Sequence, residues 1–366
     1  MMEEKMTESS IPLFDAHLDL AWNALSFNRD LTLSLNDLCD TDARYGDGPF
    51  RGHCAISLQE LATANLRVCV ATLLARSGPI NAPPNVLRRE LDYAHPSIAH
   101  AHAHGQLAYY RWLERSKQAR VIQTAIDLKN HWDHPETLGL IISFEGCDPV
   151  LDIEDLHRWY DLGVRAAGLT HYGRGQYAAG TDAEGGLTRR GRNLLREFES
   201  LGIILDVTHL SDESMSDAME CYHGPLLASH HNCRVLVPGQ RQLSDQQIRD
   251  LLDRDAVIGI AFDAWMLHPS WVRGETDRSV VNLNAAIDHI DHICDLAGDT
   301  KHIAIGSDLD GGFGTNQTPT GLDRYSNLRL IADLLSVRGY SPADVNNIFY
   351  HNWLDFFRRS LPQNHD

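Results

Sequence analysis

Eight short runs of apolar and β-branched residues recur along the chain, most of them followed by a stretch with helical spacing. They are Leu13–Leu20 (LFDAHLDL), Leu66–Ala75 (LRVCVATLLA), Gly139–Gly146 (GLIISFEG) and Val164–His171 (VRAAGLTH), then Ile203–Leu210 (IILDVTHL), Pro225–His231 (PLLASHH), Ala256–Asp263 (AVIGIAFD) and Lys301–Gly311 (KHIAIGSDLDG). Helical patterns follow at Asp152–Leu162, Arg192–Leu201, Asp212–Tyr222, Ser244–Arg254 and Asn282–Leu296, and Ser244 with Gln247 reads as a capping box. Near-continuous apolar strands alternating with helices predict a parallel sheet covered on both faces. Eight such units in 366 residues point to a closed (β/α)8 barrel of the TIM type rather than an open doubly wound sheet. No Gly-rich phosphate loop follows any of the runs. With no linker and no internal repeat, residues 1–366 read as a single barrel domain. Its extended βα loops fall at about 27–58, 173–191 and 312–327.

The polar residues inside these runs sit at their C-terminal ends. The first run carries His17 and Asp19, the third ends at Glu145, the fourth at His171, the fifth at His209, the sixth at His230-His231 and the eighth at Asp308. In a parallel barrel all of these ends converge on one rim, where βα-loop enzymes build their sites. A lone histidine at a strand end is a satisfied core group more often than a ligand. A whole ring of them is different, because burying so many titratable groups without a cation is costly. Carboxylates mixed with imidazoles suit Zn²⁺, Mn²⁺ or Co²⁺ rather than Ca²⁺. The set exceeds what one tetrahedral zinc needs, and two metals sharing Glu145 as a bridge would use it. The pattern leaves His230 and His231 as alternatives, since neighbours on a strand face opposite ways. His95, His100, His102 and His104 lie in an Ala-rich helical stretch away from that rim and read as surface histidines. Cys147 and Cys233 read as packing residues.

Charge narrows the function further. Against 32 Lys and Arg stand 50 Asp and Glu, a net charge of −18, and no basic stripe interrupts it; nucleic acid is therefore excluded as the main partner. The first residues, MMEEKMTESS, lack the basic start and apolar core of a secretory leader, no run reaches membrane-span length, and the polar C-terminal stretch offers no lipid-anchor signal. The 7 cysteines are scattered and never form a C-x-x-C pair, which fits reduced thiols and a cytoplasmic protein without a membrane partner.

The motifs themselves resemble a known family. D-A-H-L-D at 15–19 is similar to the D-x-H-x-D opening of the membrane dipeptidase (renal dipeptidase) family of the amidohydrolase superfamily. S-F-E-G at 143–146, G-L-T-H at 168–171, D-V-T-H-L-S at 206–211, A-S-H-H-N-C-R at 228–234, R-Q-L-S-D at 241–245 and G-S-D-L-D-G at 306–311 follow in order. The resemblance implies a dipeptidase that uses a hydroxide bridging two Zn²⁺ ions per chain. One ion would be held by His17 and Asp19, the other by His209 and His230, with Glu145 between them. It further implies that His171 faces the scissile carbonyl oxygen, that Arg241 binds the substrate carboxylate, and that Asp308 handles the proton of the attacking water. Asp310 competes with Asp308, since strand alternation points both the same way. Small dipeptides are the implied substrates, including those with a D-residue at the C-terminal position, and a homodimer is compatible with the family. Alternatives are hydrolysis of N-acyl amino acids or lactams on the same metals, or a catalytically silent metal-binding barrel. One position departs from the family: in Ala264–Val272 (AWMLHPSWV), Met266 stands about where a tyrosine is common, with Trp265, His268 and Trp271 nearby.

Overall fold

The computed structural model describes residues 11–77, 88 and 90–364; the N-terminal leader reading falls on residues 1–10, outside the described residues. All eight apolar runs form strands: β1 Leu13–Leu18, β2 Leu66–Leu73, β3 Leu138–Phe144, β4 Val164–Gly168, β5 Ile204–Asp206, β6 Leu226–Leu227, β7 Ile258–Ile260 and β8 Ile303–Ile305. Parallel ladders join β1 through β6 in chain order, a further ladder joins β7 to β8, and a parallel bridge between Ala228 and Ile258 links the two groups. The result is the α/β barrel the pattern predicts.

Two apolar layers hold it. Phe14, Ala16, Val68, Val70, Ile141, Ala166, Ile204, Leu227, Val257 and Ala304 form one buried cluster to which every strand, or the residue just before it, contributes. Such a cluster lies inside the barrel, because only the interior is common to all strands. The alternate positions, such as Cys69, Leu140, Ile142, Phe144, Leu205 and Ile303, pack outward with residues of the surrounding helices. At its N-terminal end the interior is stoppered by Trp132 and by Trp353 and Phe357 of the helix Asn352–Ser360; Phe14 stacks on Phe357 with centroids 5.3 Å apart.

The seam between β8 and β1 is built differently. Among the described residues no ladder joins these strands. Instead the outward carbonyls of β8 are taken by side chains of the last helix: Asn352 Nδ2 donates to Ile303 O and Trp353 Nε1 to Ile305 O, each at 2.8 Å. Asp15 completes the seam, its Oδ1 accepting from Ser307 N at 2.9 Å and its Oδ2 from the Tyr325 hydroxyl at 2.7 Å.

The helices behave as their sequences require. Ser244 and Gln247 form the expected reciprocal capping box on Asp245–Leu252, and Thr124 with Asp127 forms another on Ala125–Asp133. The long helix Pro96–Arg115 carries His100, His102 and His104 on a partly to fully exposed face, where His104 stacks on Trp159 at 4.1 Å and His102 on Tyr93 at 3.9 Å. Cys147 and Cys233 are fully buried, and all seven cysteines are unpaired. No described helix is long and apolar enough to cross a membrane.

Candidate metal centre and its cavity

Several strands stop short of the runs that predict them, and this places the site. β4, β5, β6 and β8 end at Gly168, Asp206, Leu227 and Ile305, so His171, His209, His230 and Asp308 each lie three residues beyond a strand end. They are rim-loop residues. His209 (φ 68°) and Asp308 (φ 56°) adopt left-handed backbone, which turns the chain inward over the barrel mouth. Two buried aspartates hold such turns. Asp15 Oδ1 accepts from His17 N at 3.0 Å as well as from Ser307, and Asp206 Oδ1 accepts from Thr208 N at 3.0 Å and Ser229 N at 3.1 Å. Each carboxylate thus binds its own chain to a strand neighbour at the level of the site. Gly259 and Gly306 sit where an added Cβ would fall 1.9 and 1.7 Å from Ser229 O, so only glycine fits beside the residue that precedes His230.

The rim brings the expected donors together. His17 Nε2 lies 3.7 Å from Asp19 Oδ1, 3.6 Å from Glu145 Oε2 and 3.8 Å from Asp308 Oδ1. Glu145 Oε1 lies 3.2 Å from His209 Nε2, 3.7 Å from His230 Nε2 and 3.4 Å from His171 Nε2. Two ligand-compatible triads, His17–Asp19–Glu145 and Glu145–His209–His230, therefore share one carboxylate, and His17, His230 and Asp308 form a third grouping. His231 is buried but stands outside all of these groupings. The donor rings are fixed from behind: Ser229 Oγ contacts His230 Nδ1 at 2.8 Å, Thr181 Oγ1 contacts His209 Nδ1 at 3.2 Å, and Thr72 Oγ1 donates to Asp19 Oδ1.

The electrostatics ask for cations. Burial pushes Glu145 up to about 7, helped by the neighbouring Asp19 carboxylate and opposed by His17. Burial likewise raises Asp308, with Asp19 and Glu145 adding to it. His209 and His230 are held well below their ordinary range by burial and then by the charges of Arg241 and His17, respectively, so both are neutral and able to ligate. Burial also works against charge on His17, but Glu145 and Asp19 outweigh it. Crucially, His17 Nε2 and Glu145 Oε2 are buried atoms with no hydrogen-bond partner although they face one another. A divalent ion between such atoms satisfies both, so the residues present fit a metal pair.

Asp308 and Asp310 divide clearly. Asp310 lies in the same left-handed turn rather than on a strand, so alternation does not set its direction. Its carboxylate turns away to accept from Ala55 N at 2.9 Å and Ile56 N at 3.1 Å, with Arg29 3.9 Å away. It fastens the 27–58 loop, while Asp308 lines the cavity.

That cavity, about 450 Å³, opens over the donors. Arg241, buried to 3% exposure, lines it; Nη2 donates to His230 O at 2.9 Å and Nη1 has no partner. Trp22, Trp265, Met266 and Trp271 form part of the wall. Sequence reasoning missed Tyr172, which supplies a phenol from the β4 loop, and it missed Arg76, Asp182, Asp263 and Arg273.

The family model for membrane dipeptidases, peptidase family M19, matches residues 1–361. The chain belongs to that family. An uncharacterized dipeptidase of Schizosaccharomyces pombe is 27% identical over 214 residues, covering 57% of this chain and 50% of its own. The match thus spans about half the length of the curated dipeptidases it resembles. A solved dipeptidase described as a metallopeptidase of family M19 superposes with a TM-score of 0.78 at 22% identity, covering 96% of this chain and 99% of its own. A metallopeptidase from Rhodobacter sphaeroides, liganded with a phosphinate mimic of the dipeptide L-Ala-D-Ala, gives 0.75 at 22% identity with the same coverage. At that identity the likeness establishes the shared barrel fold.

Proposed function

We propose that this M19 protein, as one barrel domain, hydrolyses the peptide bond of small dipeptides with two divalent ions, Zn²⁺ in the first instance. The observation that carries the reading is the pair of ligand triads sharing Glu145 beneath a cavity lined by Arg241, whose buried Nη1 has no partner. His17 and Asp19 would hold one ion, His209 and His230 the other, with Glu145 common to both. Bound there, the ions would lower the pKa of a shared water so that hydroxide is available near neutral pH.

The remaining work falls to the protein. Arg241 donates to the free C-terminal carboxylate, for which its guanidinium charge and unpartnered Nη1 are suited. His171, neutral because burial and then Arg76 press its charge down, presents Nε2 toward the carbonyl oxygen that becomes negative in the transition state. Asp308 takes the proton released by the attacking water and returns it to the leaving amine. The ligand of the Rhodobacter sphaeroides relative, an L-Ala-D-Ala mimic, supports including a D-residue at the C-terminal position.

The apolar wall of Trp22, Trp265, Met266 and Trp271 favours a second reading, hydrolysis of N-acyl amino acids. One preparation tests both. Metal content per chain is measured beside rates on a panel of dipeptides, with L- and D-residues at the second position, and on their N-acylated forms. Two ions per chain with faster turnover of the free-amine substrates is expected. A fully active enzyme with a single ion would overturn the binuclear reading, and preference for the acylated series would favour the second.

A further inference from the structure

A short parallel pair, Arg76–Ser77 with Asp92–Tyr93, follows β2 and carries an ion pair beside His171. Arg76 grips Asp92 with two parallel bonds, Nε to Oδ1 at 2.7 Å and Nη2 to Oδ2 at 2.8 Å. Asp92 Oδ2 also accepts from Arg88 N at 2.8 Å, so the carboxylate is fixed from two sides. The remaining terminal nitrogen, Arg76 Nη1, lies 3.2 Å from His171 Nδ1. A guanidinium carries donors only and does not lose its proton in proteins. The contact is therefore a hydrogen bond only if Nδ1 offers its lone pair, which leaves the ring proton of neutral His171 on Nε2. That nitrogen is the one facing Glu145 Oε1 at 3.4 Å and the cavity.

From this we infer that Arg76, held by Asp92, is a positioning residue that fixes His171 in the Nε2–H tautomer and aims that N–H at the oxyanion. The inference rests on the proposed hydrolysis for its consequence in rate, but not for the tautomer. A His171 with its proton on Nδ1 would turn a lone pair toward developing negative charge and oppose it. The clamp thus decides whether the ring stabilises the transition state or repels it.

The test combines imidazole ¹⁵N NMR with kinetics on the full chain, metal-free and zinc-loaded, the His171 signals being assigned by their loss in His171→Gln. Wild type should show protonated Nε2 and unprotonated Nδ1. Arg76→Met should shift His171 toward a mixture of tautomers, lower kcat by about 10- to 100-fold, and leave KM within about threefold and zinc content unchanged. Arg76→Lys, with a single point charge in place of a fork, should recover only part of that loss. Asp92→Asn keeps the loop's shape and should loosen the clamp, giving an intermediate tautomer shift should Arg76→Met fold poorly. A wild-type proton on Nδ1, an unchanged His171 spectrum in both Arg76→Met and Asp92→Asn, or a loss confined to KM would overturn the clamp. If zinc-loaded wild type turned over neither dipeptides nor N-acyl amino acids, the reaction would fall while the ¹⁵N spectra still decided the tautomer.

Discussion

The floor of the barrel and its rim are made by the same eight strands, yet they obey opposite rules. At the floor, Phe14, Val68, Ile204, Trp353 and Phe357 pack with no polar atom left over except the Trp353 N–H, which Ile305 O accepts. At the rim, carboxylates and imidazoles crowd within about 4 Å of one another, and the buried His17 Nε2 and Glu145 Oε2 face one another without a partner. The floor is the arrangement expected of a sequence selected for stability. The rim costs stability in the metal-free protein, since burial and the Asp19 carboxylate raise the proton affinity of both Glu145 and Asp308. The proposed function is concentrated where folding alone would not have placed these residues.

Substitutions can break this division of labour, and the largest effect belongs to the shared carboxylate. Glu145→Gln should lose metal from both sites, reducing kcat/KM by more than about 10³, because a neutral amide is a poor bridge. Metal analysis on the purified variant reads this directly, and one site remaining fully occupied would show that the triads are independent. Asp308→Asn should keep near-normal metal content and lose kcat by about 10²–10⁴. Asp310→Asn should instead leave the chemical step alone and weaken the attachment of the 27–58 loop, seen as faster amide exchange at Ala55 and Ile56. Full activity in the first with loss in the second would reverse their roles. From the floor, Trp353→Ala should cost about 3–5 kcal/mol in chemical denaturation while kcat of the folded fraction stays at wild type. Arg241→Met should forfeit about 2–4 kcal/mol in kcat/KM, and amidating the substrate C-terminus should then add little further loss; additive losses would assign Arg241 elsewhere.

The smallest effect sharpens the comparison through pH. Asp42 lies in the 27–58 loop, where burial pushes it up, but the Arg29 fork, Gly52 N–H and Arg51 hold it at about 2. Its folded pKa is below the unfolded value near 4, so the unfolded chain takes up the proton first. The stabilisation is present above about pH 4 and is lost as pH falls toward about 2. Acid titration of stability should therefore show a step in that window that flattens in Asp42→Asn.

What was legible in the sequence follows the same line. Strand positions could be read because a parallel strand buried on both faces must be apolar throughout, as in Leu138–Phe144. Strand ends could not. The runs continue through His209 and Asp308, but left-handed turns held by buried aspartates stop the ladder earlier. The candidate donor set was visible as residue types at the ends of runs. The choice between His230 and His231 needed the actual turn after Leu227, which places His230 Nε2 3.2 Å from His209 Nε2. The contacts of Arg76 and Asp15 were invisible because their partners, His171 and Ser307, lie 95 and 292 positions away and no local pattern connects them.

The seam between β8 and β1 bears on how the chain is made. During synthesis β8 emerges before the helix that takes its outward carbonyls, so Ile303 O and Ile305 O form an open edge until Asn352 and Trp353 arrive. An open edge of β-branched residues is a template for pairing with another nascent chain. The last helix therefore acts as an intramolecular guard against aggregation, and a chain shortened before Asn352 would keep every residue of the candidate metal centre while leaving that edge open to its own copies.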